Sequence, residues 1–197
     1  MVIDDDGWVI DPRVKKTPFF NLKHGLISVI HGIIVHQTAS PSAQSTFNSY
    51  KSADPNGAHF LIDKDGTIYQ TASVTWKLWH VGILKPRCIL TLSCPEVETK
   101  ALTSRPWNAM TVHRIEKEKN FPDRFPMNDD AIGIELVGST IDKSKDAHYE
   151  PATQQQNDSL KWLVSEISIR FRLPPTEIWR HPDVSYKSTH EAETAKW

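Results

Sequence analysis

A single α/β domain, with a central mixed β-sheet flanked by helices, is the fold class this sequence predicts. Three observations lead there. Two short runs rich in Ile and Val, ISVIHGIIVH (27–36) and AIGIELVG (131–138), have the length and composition of buried strands. A helical repeat of Leu160, Leu163, Val164, Ile167 and Phe171 follows them. The length, 197 residues, suits one domain with a real core.

Each element follows in chain order. Residues 1–26 read as an N-terminal extension. The strand 27–36 delivers a histidine, His36, to its end. Ser40-Pro41 then offers a helix start, Ser as N-cap and Pro at the first helical position, for a helix reaching about Ser52 with Phe47 and Tyr50 on one side. HFLIDKDGTIYQTA (59–72) reads as a β-hairpin turning around Lys64-Asp65-Gly66. Residues 80–130 hold many prolines and few periodic signals, and so long an insertion in a compact domain is usually functional. Within it VHRIEKEKN is helical and charged, which puts His113 on a solvated face. After the strand 131–138, a helix starts near Pro151 and is stopped by Pro174-Pro175. EIWRH (177–181) is a final short strand that ends on His181.

Bulk composition excludes some functions. Net charge is -1 with no long basic run, which argues against electrostatic nucleic-acid binding. No apolar run approaches the roughly 20 residues that span a bilayer. The N-terminus, MVIDDDGWVIDPR, is acidic where a secretory signal is basic and then apolar. A protein cytoplasmic in its producer, or exported without such a leader, is the expectation. Cys88 and Cys94 could pair or stay as free thiols, and their spacing is too wide for a zinc knuckle.

A lone histidine at a strand end is most often a satisfied turn residue. A second one changes the weighing, because two strand ends can converge at one edge of a sheet. After His181 the chain offers Asp183, Lys187, His190 and Glu191 within ten residues. Zinc takes imidazole nitrogen and carboxylate oxygen, and a catalytic site uses three protein ligands. A carboxylate must then handle the proton of the attacking water. Glu135, set among Ile and Gly in IGIEL, needs a reason to be there and is the candidate. Lys187 could supply a cation beside a developing oxyanion.

The order IIVHQTAS, GAHFLIDKDGTIYQ, WHVG, AIGIELVG and RHPDVSYK resembles the zinc-dependent N-acetylmuramoyl-L-alanine amidases, the amidase-2 family. That family includes phage lysozymes, the bacterial AmpD enzymes and animal peptidoglycan recognition proteins. The resemblance runs from about residue 27 to 197. It implies a mixed sheet with flanking helices, a groove holding one Zn2+, and hydrolysis of the amide between N-acetylmuramic acid and L-alanine of peptidoglycan. On its motifs His36 and His181 match zinc ligands, Glu135 the catalytic glutamate and Lys187 the oxyanion lysine. Ala58 stands where the phage lysozyme branch has tyrosine, which places the chain with the glutamate branch. His59 then reads as structural, and His80 and Trp79 as residues of the substrate groove. Trp107, Arg114, Arg124 and Phe125 could line that groove, or Trp107 and Phe125 simply cap a satellite core under the insertion.

One position departs from the family. Its third ligand is usually an Asp or Cys two residues after the lysine, and here that residue is Thr189. Glu191, ten residues after His181, is the preferred replacement, with His190 as the alternative. Two further expectations concern biology. The long insertion and the K-S-T-H-E-A ending fit a leaderless antibacterial effector, delivered by type VI secretion to the periplasm of a target cell, with an immunity protein as partner and a monomer as working form. A cytoplasmic muropeptide-recycling or phage lytic amidase, and a non-catalytic peptidoglycan-binding receptor, are the alternatives.

Overall fold

The computed structural model describes residues 1–103 and 108–197. The chain opens with an antiparallel pair, β1 (Val2–Ile3) and β2 (Val9–Ile10). Its turn is held by Asp4, whose Oδ1 accepts from the Trp8 N–H at 2.7 Å. Gly7 closes that turn at φ +83, where a Cβ would sit 2.3 Å from the Ser73 hydroxyl. Next comes β3 (Val14–Lys16), which pairs in parallel with a later strand and forms one edge of the main sheet. The N-terminal extension is thus part of the sheet, a role that no alternation in its sequence announces.

Strand β4 (Gly32–Gln37) is buried along its whole length. It starts five residues later than the apolar run suggests. Helix α1 (Ala43–Ser49) starts later too, because Ser42, not Ser40, caps it by accepting from the Ser45 N–H at 3.2 Å. The hairpin is β5 (Phe60–Ile62) and β6 (Ile68–Gln70), antiparallel around Gly66 at φ +84. The insertion is more ordered than its composition suggests. It carries α2 (Arg87–Leu90), α3 (Glu96–Thr103) and α4 (Ala109–Glu118), and Cys88 is disulfide-bonded to Cys94 between the first two. Then come β7 (Ala131–Leu136), α5 (Gln154–Phe171), β8 (Ile178–Arg180) and α6 (His181–Val184).

The main sheet has six strands in the order β3-β6-β5-β7-β4-β8, and all its pairs are parallel except β5 with β6. It is the mixed sheet that the sequence predicts. Side chains alternate across it. Ile33, Val35, Ile132, Ile134 and Leu136 face α5 and bury Leu160, Leu163, Val164 and Ile167. Each such side chain contributes about 1.5–3 kcal/mol on burial. Thr153 and Gln156 form a reciprocal capping box at the start of α5, and Arg172 ends it in the left-handed region at φ 56. With the apolar side chains claimed by that face, His36 and Glu135 emerge on the other.

Candidate active site

The site begins as a matter of register. Strands β4 and β8 run parallel, with Val35 paired to Arg180, so His36 and His181 are the next residues on each. On the other flank β7 pairs His36 directly with Glu135. Three parallel strands therefore deliver their polar residues at their C-terminal ends, where open α/β sheets bind ligands. His181 stands as the first residue of α6, one step past the end of β8.

Glu191 completes the cluster. Its Oε1 lies 2.9 Å from His181 Nδ1 and 3.6 Å from His36 Nδ1, and it accepts from the Gln37 N–H at 3.4 Å. His36, His181 and Glu191 are the one group of three or more metal-ligating side chains among the described residues, with ligand atoms within 4.8 Å of one another. All three are buried. Burial first, and then the neighbouring His181, push His36 down to about 4, so its imidazole is neutral and keeps a lone pair. Burial would raise Glu191, but the two imidazoles beside it, His181 at 2.9 Å before His36 at 3.6 Å, win and hold it as a carboxylate. Two imidazoles and a carboxylate converging on one position fit zinc.

The other candidates are distributed less evenly. Glu135, Lys187, Trp79 and His80 line a groove of about 530 Å³ together with the three clustered residues, Asn128 and Tyr149. Trp79 is 39% exposed and stacks one face on His24, at 3.7 Å between centroids. His80 is nearly buried and stands behind His36 more than in the groove, with Nδ1 3.0 Å from His36 Nε2. Glu135 is pushed up to about 7 by burial, against a lowering hydrogen bond from the Tyr50 hydroxyl and with a further rise from the Glu191 charge. Tyr149 is also raised, to about 12, by burial and then by Glu191.

His190 points away. Its Nδ1 bonds Glu193 at 2.9 Å and its ring stacks on His148 at 3.8 Å. Thr189 is tied to Asp146 at 2.7 and 2.8 Å. His59 is wired into the backbone on both nitrogens, to the Gly133 N–H at 3.0 Å and the Trp76 carbonyl at 2.8 Å. His113 does not lie on a solvated face. Its Nδ1 accepts from the Leu84 N–H at 3.0 Å, because α4 packs back on the insertion. Arg124 and Phe125 are buried, Arg124 on Asp130 at 2.7 Å and Phe125 against Trp179, so neither lines the groove. Arg114 is exposed, and Trp107 lies outside the described residues. Tyr50, Tyr149 and Asn128 were not singled out from the sequence. Tyr50 alone left a trace, as an aromatic at the end of the α1 pattern.

Comparisons with known proteins bear on the fold and the family. No curated protein sequence matches the chain. Among solved structures, an AmpD derivative superposes with a TM-score of 0.53 at 17% identity, covering 93% of this chain and 88% of the other. The catalytic domain of XlyA gives 0.52 at 17%, covering 88% and 87%. A mutant endolysin from Bacillus subtilis gives 0.50 at 17%, covering 86% and 85%. At such identities these likenesses establish the fold. The family model described as N-acetylmuramoyl-L-alanine amidase matches residues 27–195, from just before β4 to the last turn. The chain belongs to the N-acetylmuramoyl-L-alanine amidase family, Amidase_2.

Proposed function

We propose that this protein is a zinc-dependent hydrolase that cleaves the amide between N-acetylmuramic acid and L-alanine in peptidoglycan. One observation carries the reading: His36, His181 and Glu191 converge on one buried position at the floor of a groove that also presents Glu135 and Lys187. Zinc bound there would lower the pKa of a coordinated water and polarise the substrate carbonyl.

The chain's own residues supply the rest. Glu135 accepts the proton of the attacking water and returns it to the departing amine of L-alanine. Its proton affinity, centred on about 7, suits both halves of that task near neutral pH. The Tyr50 hydroxyl donates to Glu135 Oε2 and fixes the carboxylate's orientation. Lys187 supplies positive charge where the carbonyl oxygen becomes an oxyanion. Trp79 and Tyr149 bound the groove at its rim.

The test is bound zinc and muropeptide release from intact sacculi, measured on wild type, Glu191→Ala and His190→Ala. The expected result is about one zinc per chain, lost with its activity only in Glu191→Ala. Wild-type protein that takes up no zinc and releases nothing would leave a peptidoglycan-binding protein. The finer reading is an antibacterial effector working in a target cell's periplasm. The Cys88–Cys94 disulfide supports action in an oxidising compartment. Toxicity on periplasmic but not on cytoplasmic expression is the outcome expected of it.

A further inference from the structure

Two consecutive residues stand directly behind both clustered histidines. His36 Nε2 faces His80 Nδ1 at 3.0 Å, and His181 Nε2 faces the Val81 carbonyl at 2.8 Å. A carbonyl only accepts, so His181 carries a proton on Nε2, and Nδ1 is the nitrogen left for a metal to take. The same outcome for His36 requires His80 Nδ1 to be the acceptor. Both Nδ1 atoms face Glu191 Oε1.

The segment that does this is itself held. Asn128 Oδ1 accepts from the N–H groups of His80 and Val81, at 3.0 and 2.9 Å. The His80 ring packs close enough to the sheet to need a glycine beneath it, because a Cβ on Gly133 would come within 2.9 Å of His80 Nδ1. A purely structural histidine should satisfy both ring nitrogens, as buried His59 does. His80 does not. Among the described residues its Nε2 is buried without a hydrogen-bond partner. Leaving a buried imidazole nitrogen unpaired is costly, and a leucine in that space would avoid the cost. The nitrogen that is paired is the one that meets His36.

We propose that His80 and Val81, clamped by Asn128, are positioning residues that fix both metal-binding histidines in the Nε2–H tautomer, so that zinc is taken by the two Nδ1 atoms. Outer partners of this kind orient ligand imidazoles, and losing one typically weakens metal binding 10–100-fold. The inference rests on the metal-site reading given under Proposed function.

Two measurements test it. The first is the zinc dissociation constant, by chelator competition, of wild type, His80→Leu and His80→Asn, with folding checked by circular dichroism. His80→Leu removes the acceptor and should weaken zinc about 10–100-fold. His80→Asn returns a carbonyl acceptor near the place of Nδ1 and should recover most of that loss. Equal affinity in His80→Leu and wild type, or equal loss in both variants, overturns the proposal. The second needs no variant. Imidazole ¹⁵N spectra of zinc-loaded wild-type protein should show His36, His80 and His181 all protonated on Nε2. Zinc on Nε2 of His36 or His181 overturns the proposal while leaving the metal site intact. Failure of wild type to bind zinc at all overturns the parent reading as well, so the two failures are separable.

Discussion

Replacing Glu135 with glutamine should make the protein inactive and, above neutral pH, more stable. The reason lies in the burial of a carboxylate in the wall of the groove, beside Tyr50 and Glu191. Its pKa is raised from 4.5 to about 7, by burial first, with the Tyr50 hydrogen bond opposing and the Glu191 charge adding to the rise. A folded pKa above the unfolded one means that the folded state holds its proton more tightly. The associated stability is fully present below about pH 4.5 and is lost as pH rises through 7. Taken whole, the shift corresponds to roughly 3 kcal/mol of destabilisation at pH 8 and above. Glu135 is partly open to the groove, and water there reduces that to about 1–2 kcal/mol. Glutamine keeps an acceptor for the Tyr50 hydroxyl and has no charge to desolvate. In chelator-treated protein at pH 8, Glu135→Gln should therefore melt about 2–8 °C above wild type. The difference should shrink towards zero by pH 4. Turnover on sacculi should fall about 10²–10⁴-fold, as for loss of a general base. A variant less stable than wild type at pH 8, or a gain that does not change with pH, would refute the desolvation argument.

Three other perturbations follow from single contacts. Tyr50→Phe removes the hydrogen bond that lowers Glu135, so the acidic limb of the pH–activity profile should move to higher pH, while zinc content stays unchanged. Gly133→Ala sets a methyl 2.9 Å from His80 Nδ1 and 3.0 Å from the Ala58 Cβ, and zinc titration should register weaker binding although residue 133 touches no ligand. His113→Ala strips the Leu84 N–H of its acceptor, which should cost about 1–3 kcal/mol in urea unfolding, with activity per folded molecule nearly unchanged.

The sheet's interior was readable from sequence wherever burial imposes a pattern. GIIVHQ and AIGIEL lie side by side in parallel, and a parallel strand covered on both faces must be apolar nearly throughout. The one glutamate and one histidine that interrupt those runs had to be functional or well satisfied, and both proved to face the groove. Strand β3 was not readable. VKK at an exposed edge needs no alternation, because only Val14 is buried. Of the insertion only the helix at VHRIEKEKN, part of α4, was readable, and the rest was hidden for a different reason. Its helices are four to ten residues long and are held by the Cys88–Cys94 bond and by buried pairs such as Arg87–Glu177 at 2.5 Å, none of which leaves a periodic trace.

The third ligand position shows where spacing stops and geometry begins. His190 and Glu191 are adjacent and both could bind zinc, so their distances from His181 in sequence could not decide between them. The turn decides. The Glu191 N–H donates to the Ser188 carbonyl at 3.1 Å, and Ser188 is anchored by its hydroxyl to the Ala147 carbonyl at 2.7 Å. Ala192 then takes a left-handed conformation, φ 55, and buries its methyl in the core shared with α5. With residue 192 driven inward, Glu191 is carried under the sheet ends to both histidines, and His190 is turned out towards His148. A small side chain at 192 is thus as much a condition of the site as the carboxylate before it. A bulkier residue there, such as Ala192→Leu, should displace Glu191 and lower zinc occupancy without altering any group that could touch the metal, and unchanged occupancy would refute this account of the turn.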